Sequence, residues 1–336
     1  MVVICALVLL TLAGCSNGEV ASSAAPTATA GPPRKVLFIA GFRPQANLPF
    51  VAVYLAQAKG YFAQEGLEVD IRHATQGEHL TLLLSKEIQF TTATGSQVLR
   101  RRESDLPVRA IALFGQRGDQ GYVVRADSGI ATPADFKGRS IGFKSGVVPA
   151  ELKGMLKNAG LAESAVKLRE VGNDPREFLA GAVEVYPVFL SNEPDTLRRT
   201  GAAIRVIDPA DFNVPTLGLT YIAHADTVQQ DRDLVQRFLR ASMRGALYAR
   251  DHIDEGVQVT LAFAPGADAA HERFLLETDL RAAARADGMG RSDLEQWTKL
   301  ESTLREFGVT KQSVDVNTAW DGSFIDALYR DGALRP

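Results

Sequence analysis

Hydrophobic and polar positions follow one repeating order through most of the chain: a short apolar run, a polar loop, then a stretch with apolar residues three and four apart. Val36–Ala40 is the first run. A loop carrying Pro44 and Pro49 follows, and Val51, Tyr54, Leu55 and Ala58 then fall on one helical face. Gly66 breaks the pattern before the alternating stretch Leu67–Ile71, a second strand. Further strands are predicted at Val108–Phe114, Gly121–Arg125, Ser140–Phe143, Leu168–Val171, Val183–Leu190 and Leu217–His224. Thr132-Pro133-Ala134-Asp135 reads as a helix start, with a capping threonine, proline in the first turn and an acid at the positive end. From Asp231 the pattern turns helical, with Leu234, Phe238, Ala241, Gly245 and Tyr248 on one stripe. Alternating strands and helices predict an α/β fold built on parallel sheet. Ligands in such folds bind beyond the carboxyl ends of strands, which makes the loop Gly41–Pro49 an expected site wall.

The first residues follow a different pattern. Ile4–Leu12 is an apolar core too short to span a bilayer, with no basic residue ahead of it, so the true start is expected a few residues upstream. Leu12-Ala13-Gly14-Cys15 fits a lipoprotein signal, in which Cys15 is lipidated and becomes the new N-terminus; the alternative is an ordinary secretory leader with an incidental cysteine. Residues 16–34, rich in Ser, Ala, Thr, Gly and Pro, hold too little apolar surface to fold and read as a flexible tether. The expected location is therefore extracytoplasmic, lipid-anchored to the cell membrane. Cys5 and Cys15 are the only cysteines, which excludes a disulfide or thiolate metal cluster in the mature body.

About 300 residues remain after the leader, enough for two lobes with separate cores. The formal charge of −3 gives no footing for nucleic acid. Arg100-Arg101-Arg102 is followed at once by Glu103 and Asp105 and reads as a solvated helix end. No internal repeat is visible.

Phe42 and Pro44, Lys59-Gly60-Tyr61-Phe62 and Glu65-Gly66-Leu67 together resemble the first segment of the bacterial solute-binding proteins related to thiamine-pyrimidine synthases. So do Gly121-Tyr122-Val123-Val124 with Asp127-Ser128-Gly129-Ile130, Asp135-Phe136-Lys137-Gly138 with Ile141-Gly142, Asn192-Glu193-Pro194, and the run from Val235 to Ala241. Each motif is weak; their order across most of residues 36–262 is specific. The resemblance implies a type II periplasmic binding protein: two parallel-sheet lobes, a two-strand hinge and a ligand cleft between the lobes. On that plan residues 35–121 begin lobe one, 122–217 form lobe two with the hinge, and 218–336 return to lobe one and add C-terminal helices. The chain is expected to cross near Tyr122 and Leu219. The implied partners are an ABC permease and its ATPase subunits, served by a monomer.

On the same plan the cleft is lined by loops after successive strands. These carry Phe42, Gln45, Asn47, Gln76, Thr94, Gln97 and Gln116 in lobe one, and Phe143, Tyr186, Asn192 and Glu193 in lobe two, with Tyr122 and Tyr221 at the crossings. Amides, hydroxyls and aromatic faces suit a flat, mostly neutral heteroaromatic. A sulfonate would more naturally use arginines, and only Arg43 and Arg117 stand in these loops. Bland roles compete with several of these assignments. Phe42 could close a core, Asn47 and Asn192 could cap helices, Gln76 could be a surface turn residue and Tyr186 a core residue. Glu193 has no evident structural duty, Tyr54 and Phe62 read as core, and His79 reads as a solvated helix residue rather than a ligand.

The same fold includes an enzyme branch that makes the thiamine pyrimidine, with a lysine and a histidine four residues apart and a cysteine cluster near the return strand. Ala93 and Gln97 take those two positions here, and Pro215–His224 has no cysteine. Alanine forms no Schiff base and glutamine exchanges no proton near neutral pH. The expectation is thus a binding protein, not an enzyme, with no cofactor and no metal. Relatives that bind the formylated aminopyrimidine carry Trp-X-Pro-Asn-Thr-Asn-His in the first loop, where this chain has Phe42-Arg43-Pro44-Gln45-Ala46-Asn47-Leu48. That departure favours riboflavin as the transported ligand, ahead of a thiamine pyrimidine precursor and, more remotely, an aliphatic sulfonate.

Overall fold

The structure, a computed structural model, describes residues 32–75, 77–144 and 146–335. Cys15, the predicted leader and most of the tether lie outside the described residues, as does Gln76. In chain order the strands of the body are β1 (Arg34–Ala40), β2 (Leu67–His73), β3 (Phe90–Thr94), β4 (Val108–Leu113) and β5 (Gln120–Arg125). They continue with β6 (Ser140–Phe143), β7 (Lys167–Glu170), β8 (Val185–Phe189), β9 (Ile204–Ile207) and β10 (Leu219–His224).

These strands form two five-stranded sheets, ordered β2-β1-β3-β10-β4 and β7-β6-β8-β5-β9. Each sheet belongs to one lobe of an α/β architecture. The sheets are mixed, where the sequence pattern predicts parallel ones. β1 runs parallel to β2 and β3, but β10 is antiparallel to both of its neighbours, and so is β5. β5 and β10 are the strands that enter a sheet straight from the opposite lobe, without a helical crossover to reverse the chain, so they run against their neighbours.

Residues 114–119 and 208–218 carry the chain between the lobes. The two crossings touch backbone to backbone, with the Gly218 amide donating to the Gly115 carbonyl at 2.9 Å. A Cβ on Gly115 would stand 2.7 Å from the Gly218 Cα, so a side chain there cannot be fitted without separating the crossings.

The apolar stripe read from the sequence is the spine of lobe one. Phe238, on the helix Arg232–Asp251, stacks on Phe90 with ring centroids 4.0 Å apart, and Phe62 and Phe38 pack beside it. Gly245 lets that helix press on the helix Leu48–Ala58: a Cβ there would lie 2.1 Å from the Ala52 carbonyl oxygen. Tyr54 and Phe62 are buried in this core, as expected. Lobe two has a smaller core around Val124, Ile141, Leu152, Met155 and Val185. Phe307, just past the helix Leu294–Glu306, packs into it, so the C-terminal helices touch both lobes. Among the described residues no helix is long and apolar enough to cross a membrane.

Candidate functional site

A cleft of about 540 Å³ lies between the two sheets. Lobe one supplies the loop after β1, His79, the end of β3 and one face of the helix Ala269–Ala283. The first crossing adds Arg117 and Asp119, and lobe two adds Phe189, Leu190, Ser191 and Asp208.

Five predicted residues line this cleft: Phe42, Gln45, Asn47, Thr94 and Gln97. The loop after β1 is held by hydrogen bonds to the protein around it. Gln45 Nε2 donates to Asn47 Oδ1, and Asn47 Nδ2 and the Leu48 amide both donate to Asp279 Oδ2 at 3.0 Å. The Ala46 amide donates to Glu272 Oε2 at 2.6 Å. Asn47 stands at the N-terminus of its helix but makes no side-chain cap; its amide goes to Asp279 instead. Burial pushes the Asp279 carboxyl up, and the donors from Asn47, Leu48 and Ser191 oppose that shift. Thr94 and Gln97 form a reciprocal capping box at the start of the helix Gly95–Glu103. Gly41 needs its missing side chain, since a Cβ would meet Thr92 Oγ1 at 2.7 Å.

Seven predicted residues stand behind the wall rather than in it. Tyr122 and Tyr221 occupy the cores of lobe two and lobe one. The Tyr221 hydroxyl, expected at the crossing to face the ligand, donates instead to the Pro49 carbonyl at 2.5 Å and so tethers the loop after β1. Tyr186 is core as well, its hydroxyl donating to the Gly172 carbonyl at 2.9 Å. The amide of Gln116 is taken up by the Leu113 and Arg291 carbonyls and by Arg285 and Gln296. Phe143 is half-buried at the end of β6, away from the cleft lining. Asn192 Oδ1 faces His271 Nε2 of lobe one at 3.0 Å, and His271 Nδ1 faces Asp195 at 2.8 Å, a polar link between the lobes.

Glu193 does have a structural duty. Lys144 Nζ donates to its Oε1 at 2.9 Å, and the Phe189 amide donates to its Oε2 at 2.8 Å. Buried between them, Glu193 fixes where Phe189 stands. His79, expected in solvent, is 7 % exposed and lines the cleft. Burial, with repulsion from Arg101 second, lowers its pKa to about 4 and keeps the ring neutral.

Among the lining residues that sequence reasoning missed are Asp119, Asp279 and Arg281, whereas Phe189 was expected near the lobe-two wall. Phe189 and Phe42 are large aromatics left 37 % and 39 % exposed, and they line one cleft from opposite lobes. Arg117, the guanidinium nearest the crossing, is committed to Asp208 at 2.8 Å and Asp211 at 3.3 Å.

Set beside known proteins, the chain is 29% identical over 339 residues to the riboflavin-binding protein RibY of Chloroflexus aurantiacus, a match covering 95% of each. It is 26% identical over 289 residues to the formylaminopyrimidine-binding protein of Halalkalibacterium halodurans, covering 82% of this chain and 86% of that one. In three dimensions it is similar to the periplasmic aliphatic sulphonate binding protein SsuA from Escherichia coli. The TM-score is 0.67 at 14% identity, over 87% of this chain and 93% of that one, a likeness of fold. The family model described as NMT1/THI5 like matches residues 47–256, well over half of the chain, and the protein belongs to that family.

Proposed function

We propose that the protein is the extracytoplasmic solute-binding component of an ABC importer, that it captures riboflavin and hands it to the permease, and that it performs no reaction on it. The observation that carries this reading is the aromatic pair. Phe42 and Phe189 line the cleft from opposite lobes and are left 39 % and 37 % exposed, with the Arg43 guanidinium over the Phe42 ring at 5.5 Å. Such faces gain only when a flat apolar body slides between them. Around them stand hydroxyl and amide groups suited to a polar ring edge and a polyol chain. The cleft volume of about 540 Å³ lies within the range that holds a drug-sized ligand. The full-length similarity to RibY points to the same cargo.

A thiamine pyrimidine precursor is the second reading, favoured by the retained Asn47 and by the similarity to the formylaminopyrimidine-binding protein. A sulfonate is the more remote reading: of the two guanidinium groups in the lining, Arg117 already serves two carboxylates, while Arg281 donates to the Thr278 hydroxyl. Capture proceeds by lobe closure, which hides the ligand from water and presents the permease with a distinct state. Cys15 carries the lipid that keeps the monomer at the membrane, and residues 16–34 span the gap.

The test is purification of the full chain, a visible spectrum, and thermal melts with riboflavin, formylaminopyrimidine and an alkanesulfonate. Riboflavin is expected to raise the melting temperature most. A rise with formylaminopyrimidine alone would transfer the cargo to the second reading.

A further inference from the structure

We propose that His79 determines ligand specificity, its Nε2–H donating a hydrogen bond to a carbonyl oxygen of the bound heteroaromatic. The inference rests on the heteroaromatic reading of the cleft and extends it to one side chain and one ligand group.

His79 stands between β2 and β3 and lines the cleft, although more than nine-tenths of it is buried. The other polar side chains that lobe one brings to the lining, from Gln45 to Arg281, each have a hydrogen-bond partner inside the protein. Among the described residues, His79 is the one polar side chain of that wall that makes none. Its two ring nitrogens differ in surroundings. Nδ1 is sealed from solvent and has no partner, whereas Nε2 is not sealed. Nε2 stands beside Gly41, 3.2 Å from where a Cβ would lie, so the missing side chain leaves that nitrogen uncovered. Gly41 itself lines the cleft and directly precedes Phe42, which puts the imidazole next to the aromatic of the lobe-one wall.

The surroundings also define which nitrogen carries the proton. A neutral imidazole has one N–H and one bare nitrogen, and burial, aided by Arg101 and opposed by Glu78, keeps this ring neutral. A proton on Nδ1 would make a sealed N–H with no acceptor, which is the rarer defect in folded proteins; a proton on Nε2 leaves only a lone pair sealed. The proton therefore belongs on Nε2, the nitrogen left uncovered at Gly41. A largely buried donor without a partner is costly, and the cost is recovered when a ligand supplies an acceptor. Being uncharged, this donor suits a carbonyl oxygen, whereas a sulfonate draws its strong hydrogen bonds from a cation. A ring stacked on Phe42 with a carbonyl at its edge would meet both features of the lobe-one wall at once.

The experiment is nuclear magnetic resonance of the full chain with isotope-labelled histidine nitrogens at about pH 7, with and without riboflavin; His79→Gln assigns the His79 signals. The neutral ring protonated on Nε2 is expected, and saturating riboflavin should move its Nε2–H signal downfield. Fluorescence titrations supply the second readout, with melting temperatures as a check on folding. His79→Gln keeps an N–H donor and should retain affinity within about threefold, while His79→Leu should weaken binding about tenfold or more. A proton on Nδ1, an Nε2–H signal that saturating riboflavin leaves in place, equal losses in the two variants, or native affinity in a folded His79→Leu would each overturn the proposal. If riboflavin does not bind the native protein at all, the cargo reading falls and the spectra are repeated with formylaminopyrimidine, whose formyl group supplies a carbonyl. Should that ligand leave the Nε2–H signal in place as well, the role of His79 falls with it.

Discussion

The two walls of the cleft are built differently. The lobe-one wall is a finished surface: the loop after β1 is fastened through Asn47 to Asp279, through Ala46 to Glu272, through Gly41 to Thr92 and through Pro49 to Tyr221. Behind it lies the larger core, where Phe238 joins sheet and helices. The lobe-two wall presents Phe189 at the end of β8, opposite Gln120 of β5, its amide donating to Glu193, which in turn leans on Lys144, and its carbonyl accepting from the Asn192 amide at 2.9 Å. A loop fastened by side chains on one side and an aromatic at a strand end on the other suit a platform and a closing jaw. Binding then costs little reorganisation on the platform, and the free energy of capture is available for closure.

Removing the support of the jaw should have the largest effect. Glu193→Ala leaves Lys144 half-enclosed without its partner and frees the Phe189 backbone; a loss of about 3 kcal/mol in urea unfolding is expected. Adding Lys144→Met should recover part of it. No recovery would mean that Glu193 acts through something other than the pair.

Acid should attack the platform instead. The folded-state pKa of His79 is lowered to about 4, below the ordinary imidazole value, so its contribution is complete above about pH 6.5 and fades as pH falls toward 4. Stability measured across that window should drop by up to about 3 kcal/mol from this group, and His79→Gln should flatten the curve.

Shortening the aromatics probes both walls at once. Phe42→Ala and Phe189→Ala should each cost about 1–2 kcal/mol of ligand affinity in calorimetric titration, with little change in melting temperature because both side chains are already exposed. A loss confined to Phe42 would reduce the jaw to a lid without contact. The smallest effect concerns the polar link between lobes. His271→Ala removes contacts to Asn192 and Asp195 outside the cleft lining and should weaken affinity only about two- to threefold, through the closed state.

Much of this was legible in the chain. The order of apolar runs located the strands, and Thr132 with Asp135 marked a helical turn that forms with both capping bonds. The loop Gly41–Pro49 was recognisable as a wall because it follows a strand and precedes a helix. The aromatics on strands were harder. Alternation tells which residues share a face, but whether Tyr122, Tyr186 and Tyr221 turn toward cleft or core depends on which side the helices cover. Lys144 and Glu193 lie on separate segments and meet only through the packing of lobe two. Asp279 sits on a C-terminal helix whose pattern carries no motif, and Asp119 hides in a short polar run between two strands.

The central claim is that a flat ring is held between Phe42 and Phe189, and flavin fluorescence reads this directly. Stacking between two aromatic faces should quench riboflavin emission in a saturable titration with one site per chain. Emission that stays unchanged at micromolar protein, while the protein remains folded, would contradict the account.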